Sequence, residues 1–133
     1  MPLLLDTHIF LWIAQGSNRI SSMVLPALKN PGNQLFLSLA SLWEMQIKYA
    51  IGKLALPTSV DQFFLIQQRL WNLQVVLITE QHIWTPGTLP HHHRDPFDRM
   101  LIAQAIHDNM TLVSADKIFT QYPVTLLDQS PQA

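Results

Sequence analysis

Residues 2–14 have the sequence PLLLDTHIFLWIA, in which a short apolar run is followed by an acidic residue and then by a second apolar segment. The run Pro2–Leu5 is typical of a buried strand, and residues 7–14 have helical spacing. Asp6 and His8 interrupt the apolar sequence and no basic segment precedes it, which is unlike a signal peptide. The segment therefore predicts a strand that ends at Asp6 and leads directly into a helix.

The same alternation of apolar runs and helical segments continues along the chain. Further strands are predicted at 34–37, 75–78, 111–113 and 124–127, and further helices at 20–29, 39–51, 60–72 and 97–109. Strands separated by helices need crossover connections, which favour a mostly parallel sheet with helices on both faces. The sequence thus predicts an α/β fold.

Residues with known positional preferences mark the ends of two of these helices. Ser38 precedes the helix at 39–51, and Gly52 suits its C-terminal end. Asp95 and Pro96 are suited to the N-cap and the first position of the last helix. These residues support the predicted helix boundaries.

Composition limits the class of protein. The 133 residues suit one domain, which we assign to 1–133, and 48% hydrophobic against 13% charged residues predicts a folded core. With no cysteine there is no disulfide framework or thiolate site, and no apolar stretch is long enough for a membrane span, so we expect a cytoplasmic protein. The net charge of −1 gives no basic footprint of a nucleic-acid partner. However, five basic residues lie near candidate site acids in the sequence: Lys48, Lys53, Arg94, Arg99 and Lys117.

Two aspartates follow predicted strands. Asp6 ends the first strand, and Asp116 comes shortly after the strand at 111–113. Ligands of open α/β sheets bind outside the carboxyl ends of the strands, so both acids are candidates for one cleft. The alternative is that each is a helix N-cap, and the sequence leaves both interpretations open.

Glu44 lies in a predicted helix that is apolar over most of its surface. Ser41, Glu44 and Lys48 recur at helical spacing and form its narrow polar stripe. One interpretation is a solvent-facing stripe with an i,i+4 ion pair between Glu44 and Lys48. The other is that the stripe faces a polar cleft.

Two more acids begin the last helix. Asp95 and Asp98 lie in the segment His93-Arg94-Asp95-Pro96-Phe97-Asp98-Arg99, and carboxylates are favoured in a first helical turn by the helix dipole. For Asp95 a capping role is the simpler interpretation, whereas Asp98, three residues further, is the better candidate for a site.

A group of carboxylates implies a definite chemistry. Acids brought together raise each other's pKa unless cations lie between them. Hard oxygen ligands select Mg²⁺ or Mn²⁺ over zinc, and such ions contact phosphate and activate water. The acids therefore predict a metal-dependent hydrolysis of phosphodiesters.

Four blocks in this order resemble the PIN-domain proteins of the VapC toxin group, and together they span nearly the whole chain. They are Leu3-Leu4-Leu5-Asp6-Thr7-His8, Ser41-Leu42-Trp43-Glu44-Met45 with Ile47-Lys48 and Gly52-Lys53-Leu54, His93-Arg94-Asp95-Pro96-Phe97-Asp98-Arg99 with Leu101-Ile102-Ala103-Gln104-Ala105, and Leu112-Val113-Ser114-Ala115-Asp116. The resemblance implies a three-layer α/β/α sandwich around a mostly parallel five-stranded sheet.

The resemblance also implies the activity and its residues. The catalytic and metal-binding acids would be Asp6, Glu44, Asp98 and Asp116, with Mg²⁺ or Mn²⁺ as the cofactor and RNA, often tRNA, as the substrate. Possible accessory residues are Asp95, Thr7, Ser114, Lys48, Arg94 and Arg99. The implied partner is a small antitoxin of a type II toxin–antitoxin pair that blocks the cleft, and we expect the chain to form a homodimer.

Other functions remain open on the residues alone. Three consecutive histidines, His91, His92 and His93, cannot easily converge on one ion, so we expect them to flank the cleft with Arg94. An aspartate phosphatase is disfavoured because His8 stands where that class has a second acid. A non-catalytic PIN-fold interaction module and another metal-dependent phosphohydrolase are the alternatives. The four tryptophans are expected mostly in the core, with one or two in an interface.

Overall fold

The structure is a computed structural model that describes residues 1–85 and 95–128. Its elements in chain order are β1 (Pro2–Leu5), α1 (Thr7–Ala14), α2 (Val24–Lys29), β2 (Gln34–Ser38), α3 (Leu39–Ala50), α4 (Val60–Trp71), β3 (Leu73–Val76), α5 (Glu80–Trp84), α6 (Pro96–His107), β4 (Thr111–Ser114), a 3₁₀ turn (Lys117–Gln121) and β5 (Leu126–Asp128).

The five strands form one parallel sheet in the order β3-β2-β1-β4-β5. The first strand is therefore central, with Leu5 opposite Leu37 of β2 and opposite Val113 of β4. Because all strands run the same way, the residues that follow them meet at one edge of the sheet. The predicted α/β fold with helices on both faces is confirmed.

Alternate side chains of β1 point to two separate cores. Leu3 and Leu5 pack with α1, α2, α3 and α4 on one face of the sheet. Leu4 packs on the other face with Leu101 and Ile102 of α6 and with the 3₁₀ turn. A strand that is apolar on both faces is buried between two helical layers, which explains why the run Leu3 to Leu5 has no polar alternation.

Several element boundaries differ from the expectations. The third strand occupies Leu73–Val76 rather than 75–78, because Asn72 ends α4 in the left-handed conformation and the chain extends at once. The second helix begins at Val24 rather than residue 20. The Ser21 hydroxyl accepts the backbone N–H of Val24, so a side-chain hydrogen bond takes the place of a further helical turn before Val24. The last strand begins at Leu126 rather than residue 124, and the short helix α5 was not predicted.

Burial corrects the expectation for two of the tryptophans. Trp43 is 62% exposed and Trp84 is 64% exposed, so neither is a core residue. Trp12 of α1 and Trp71 of α4 are partly buried against the core. Within the described ranges, none of the helices is long and apolar enough to cross a bilayer.

Candidate active site and metal centre

Asp6 occupies the carboxyl end of the central strand and is only 5% exposed. Its Oδ1 accepts the backbone N–H of Ile9 at 2.8 Å, which makes it the N-cap of α1. Its Oδ2 accepts the hydroxyl of Ser114, the last residue of β4. The two interpretations of Asp6 are thus compatible, because one oxygen caps the helix and the other faces the neighbouring strand.

The environment of Asp6 disfavours its charged form. Burial raises the pKa of the Asp6 carboxyl, and the charge of Asp116 raises it further. Hydrogen bonds from Ser114 and Ile9, together with the nearby His8, lower it, but the pKa remains above its ordinary value. A cation beside Asp6 would offset this cost, because an opposite charge favours the carboxylate.

Ser114 joins Asp6 to Asp116. The Ser114 hydroxyl donates to Asp6 and accepts the backbone N–H of Asp116 at 3.0 Å. The Asp116 Oδ1 accepts the backbone N–H of Ile118 at 3.0 Å, so this acid also caps a turn. The register that places Leu5 opposite Val113 brings these residues together, because Asp6 follows Leu5 directly and Ser114 follows Val113 directly.

Glu44 is buried in the middle of α3, with 5% of its surface exposed. Its Oε1 accepts the Thr7 hydroxyl at 2.8 Å, and its Oε2 accepts the Lys48 ammonium at 2.9 Å. The hydroxyls of Thr7 and Ser41 lie 3.0 Å apart. Thr7 has one hydroxyl hydrogen, so when it donates to Glu44 the bond with Ser41 requires Ser41 to be the donor.

The ion pair between Glu44 and Lys48 exists, but it does not lie on a solvent-facing stripe. Glu44 and Ser41 are buried, and only Lys48 extends toward solvent. The polar residues of α3 therefore face the carboxyl edge of the sheet, where Thr7 begins α1. This arrangement agrees with the cleft interpretation.

Asp95 and Asp98 approach the same edge from α6. The Asp95 Oδ1 accepts the backbone N–H groups of Phe97 at 2.8 Å and Asp98 at 3.2 Å, so Asp95 is the N-cap that the sequence predicts. The rings of Trp43 and Phe97 meet edge to face, with centroids 5.4 Å apart, which joins α3 to the first turn of α6.

The pKa of Lys48 indicates that the acids of α3 and α6 lie near the same ammonium group. Its hydrogen bond to Glu44 raises the pKa of the Lys48 ammonium, and partial burial opposes that effect. The charges of Glu44, Asp95 and Asp98 raise it further. One ammonium thus lies in the field of three carboxylates.

The four predicted acids, Asp6, Glu44, Asp98 and Asp116, come from the ends of β1 and β4 and from α3 and α6. Their donor set fits a hard divalent ion, because it consists of carboxylate oxygens with the hydroxyls of Thr7 and Ser114 beside them. The Lys48 ammonium already stands against one of these carboxylates as a cation. The residues present are therefore suited to Mg²⁺ or Mn²⁺.

Arg99, another predicted accessory residue, contacts the segment that follows β4. The guanidinium of Arg99 donates to the Tyr122 hydroxyl at 3.3 Å, on the side of the 3₁₀ turn. Arg94 and the run His91, His92 and His93 lie outside the described residues. Ser41, which the sequence groups with Glu44 in one polar stripe but not among the predicted site residues, has its hydroxyl beside that of Thr7.

A second group of titratable side chains lies at the other end of α6. Asp108 accepts a hydrogen bond at Oδ2 from His82 of α5 at 2.9 Å, and its Oδ1 lies 2.8 Å from the Nδ1 of His107. Candidate ligand atoms of all three residues lie within 4.8 Å of one another. This group could not be predicted from the sequence, because His82 lies far from His107 and Asp108 along the chain and no metal motif has that spacing.

The protonation of His82 argues against a metal ion in this group. Its Nδ1 accepts the backbone N–H of Thr79 at 3.1 Å, so in the neutral ring the hydrogen is on Nε2, the atom that faces Asp108. Histidines that bind metals have the opposite arrangement, in which the second nitrogen donates. We therefore interpret the group as a link between α5 and the end of α6.

Comparisons with known proteins agree with this architecture. The family model for the PIN domain matches residues 3–124. A search of curated proteins finds no match. Among solved structures, the chain is similar to VapBC2 from Rickettsia felis bound to a promoter DNA fragment, with a TM-score of 0.73 and 20% identity over 96% of this chain and 98% of that chain.

Two further solved structures are similar over comparable lengths. VapBC-1 from nontypeable Haemophilus influenzae has a TM-score of 0.64 and 20% identity, covering 97% of this chain and 98% of that chain. A toxin–antitoxin complex from Klebsiella pneumoniae has a TM-score of 0.64 and 17% identity, covering 96% of this chain and 97% of that chain. At these identities the likeness shows a shared fold.

The buried charge at Asp6 generates a stability prediction. Asp6→Asn keeps an oxygen for the cap of α1 and removes a carboxylate whose pKa burial raises, so it should stabilise the ion-free protein by about 0.5–2 kcal/mol. Urea unfolding in excess chelator measures the change, with Asp61→Asn at the exposed start of α4 as the control. A less stable Asp6→Asn protein would show that the bond from Ser114 outweighs the cost of burial.

The group around Asp108 generates a pH prediction. Burial raises the pKa of Asp108, but hydrogen bonds from His107 and His82 outweigh it and leave the pKa below its usual value. A carboxyl group whose pKa is lower in the folded than in the unfolded protein stabilises the fold at pH values above its unfolded-state pKa, about 3.9. This contribution is lost as the pH falls through the pKa of the folded state. Asp108 is partly exposed, so Asp108→Asn should cost about 1 kcal/mol or less at pH 7.

The deficit of Asp108→Asn should shrink between pH 5 and pH 3, as the parent carboxylate is protonated. Urea unfolding at several pH values measures it, and Glu80→Gln, an exposed acid at the start of α5, is the control. A deficit that stays constant down to pH 3 would mean that Asp108 acts by shape at the helix end and not by charge.

Proposed function

The chain belongs to the PIN-domain family, whose model matches nearly all of it, and from that membership we propose that it is a metal-dependent endoribonuclease. It would hydrolyse RNA phosphodiester bonds as the toxin of a type II toxin–antitoxin pair. The single observation that carries the activity is that acids occupy the carboxyl edge of the sheet in two groups, in which Asp116 acts on Asp6 through its charge and Asp98 and Glu44 both act on the Lys48 ammonium. Ser114 of β4 binds Asp6, and Thr7 of α1 binds Glu44.

The four acids would bind the divalent ion, and the residues around them would keep them oriented. Ser114 directs one oxygen of Asp6 toward β4, and Thr7 holds one oxygen of Glu44. A bound Mg²⁺ or Mn²⁺ would supply an activated water for in-line attack on phosphorus and would neutralise charge on the leaving oxygen. The hydrogen bonds to Asp6 and Glu44 would hold these carboxylates in fixed orientations, which would limit their reorganisation during the reaction.

The charge of the site explains why RNA cleavage should require the ion. The charges of three carboxylates act on the Lys48 ammonium, and Asp6 and Asp116 add two more acids at the adjacent strands. A phosphate would be repelled from this edge unless a divalent cation were present. RNA, including tRNA, is proposed as the substrate because of the resemblance to the VapC group.

The proposed partner is a small antitoxin that covers the cleft, with both proteins in the cytoplasm. One solved structure of similar fold is described as a toxin–antitoxin complex. The surface also has large exposed apolar side chains on three helices, among them Trp43, Leu70 and Trp84. Apolar residues of this size support binding to another protein, either the antitoxin or a second copy in a homodimer.

The two other functions predict different behaviour of the same residues. A non-catalytic PIN-fold module would keep the fold without needing the acids, so pure protein would cleave nothing with any ion. Another metal-dependent phosphohydrolase would use the acids on a small phosphate ester and leave RNA intact. The buried, hydrogen-bonded carboxylates favour an active site, because such groups cost stability when they have no ion to bind.

Cleavage of RNA by the purified protein should require Mg²⁺ or Mn²⁺. Asp6→Asn, Glu44→Gln and Asp98→Asn should each lower the rate by more than about 100-fold, since even the outer-shell groups of metal sites are worth about 10–100-fold. The measurement is cleavage of a labelled RNA pool, with circular dichroism to confirm folding and Glu80→Gln as a control far from the edge. Full activity in excess chelator would refute the metal-dependent mechanism.

Expression of the chain alone should arrest bacterial growth, and co-expression of the gene product encoded beside it should restore growth. The Glu44→Gln chain should be harmless at the same protein level, because the arrest requires cleavage. Growth curves with matched immunoblots measure this. Harmless expression of a protein that cleaves RNA in vitro would contradict the toxin role and leave the nuclease intact.

A further inference from the structure

Lys48 occupies a position that an ordinary surface lysine does not have. Its ammonium donates to the Glu44 Oε2 at 2.9 Å, while the Thr7 hydroxyl takes Oε1 at 2.8 Å. Both oxygens of this buried carboxylate are therefore already in use. A divalent ion that binds Glu44 has to share or displace one of these two partners.

The two partners of Glu44 differ in how easily they can leave. Thr7 is buried and its hydroxyl also contacts Ser41, so it is held in place. Lys48 has a side chain that is 44% exposed on a flexible four-carbon stem. The ammonium is thus the partner that yields, and solvent gives it room to move.

The surroundings of Lys48 also distinguish it from a simple i,i+4 pair. Exposed pairs of that kind join two solvated groups and contribute little to stability. Here one member is buried, and the ammonium lies in the field of Asp95 and Asp98 as well. A positive charge at this point reduces the repulsion among the acids of α3 and α6 when no ion is bound.

We propose that Lys48 is a tethered cation, which balances the acids of the ion-free site and is displaced from Glu44 when a divalent ion binds. This inference rests on the metal-binding part of the proposed function. It assigns two opposing effects to one side chain: Lys48 stabilises the ion-free protein, and it weakens ion binding by competing for the Glu44 carboxylate. After displacement the ammonium stays beside the site, where it can contact a substrate phosphate.

The test uses Lys48→Met, which keeps most of the side-chain length and removes the charge. The matched control is Lys53→Met, which makes the same change at an exposed residue just past α3, with no ion pair among the parts of the chain that the structure describes. Lys48→Gln is a second uncharged variant in case Lys48→Met folds poorly. Lys48→Arg keeps the charge and should behave like the parent protein.

Isothermal titration with Mn²⁺ is the first measurement. Lys48→Met and Lys48→Gln should bind Mn²⁺ with a Kd about 10-fold lower than the parent, because a competing positive charge is gone. Lys53→Met and Lys48→Arg should stay within about 2-fold of the parent, because both keep a cation at Glu44. Thermal melts should show that the two uncharged variants have a lower Tm in chelator and a larger rise in Tm on adding Mn²⁺.

The outcomes separate this inference from the proposed function. Equal Mn²⁺ affinity of the parent and both uncharged variants would overturn the tethered-cation role and leave the nuclease proposal standing. Weaker Mn²⁺ binding by the uncharged variants would also overturn it, because Lys48 would then support the ion site instead of competing with it. No Mn²⁺ binding by any of the proteins would overturn both proposals.

Discussion

The burial of a carboxylate at the end of the central strand is the constraint on which the site depends. Asp6 follows β1, which pairs with β2 on one side and β4 on the other, so its side chain has little access to water. The fold compensates with hydrogen bonds from Ile9 and Ser114, but the pKa of Asp6 remains raised. The neighbouring residues supply what a buried acid needs, namely hydrogen-bond donors and a fixed orientation.

A capping role leaves the second oxygen of an aspartate available for other partners. Asp6, Asp95 and Asp116 each accept a backbone N–H at Oδ1 and begin a helix or turn. A cap fixes the side chain rotamer at no cost to the second oxygen, so it orients the acid toward its neighbours. Parallel α/β sheets place such helix starts at the carboxyl edge, which explains why the helix caps and the candidate ligands coincide there.

Sequence reasoning predicted what depends on local chemistry and failed where long-range packing decides. Asp6, Glu44, Asp95 and Pro96 were placed on the correct elements, because caps and helical spacing are local signals. The sheet order and the contact of Ser114 with Asp6 depend on register between strands far apart in sequence. The exposure of Trp43 was missed, because an apolar helix looks buried until its neighbours are known. The ligand roles of the four acids stay predictions.

The two ends of α6 show how one helix separates two kinds of polar chemistry. Its first turn contributes Asp95 and Asp98 to a group of oxygen donors, a set that favours hard ions over zinc. Its last residues, about 18 Å away at 1.5 Å per residue, contribute His107 and Asp108 to a group that contains nitrogen. There the Thr79 amide holds the His82 hydrogen on Nε2, so the nitrogen that faces Asp108 has no lone pair for a metal. Among the described residues, ligand type and the tautomer of one histidine therefore make the carboxyl edge better suited to a hard divalent ion than the group around Asp108.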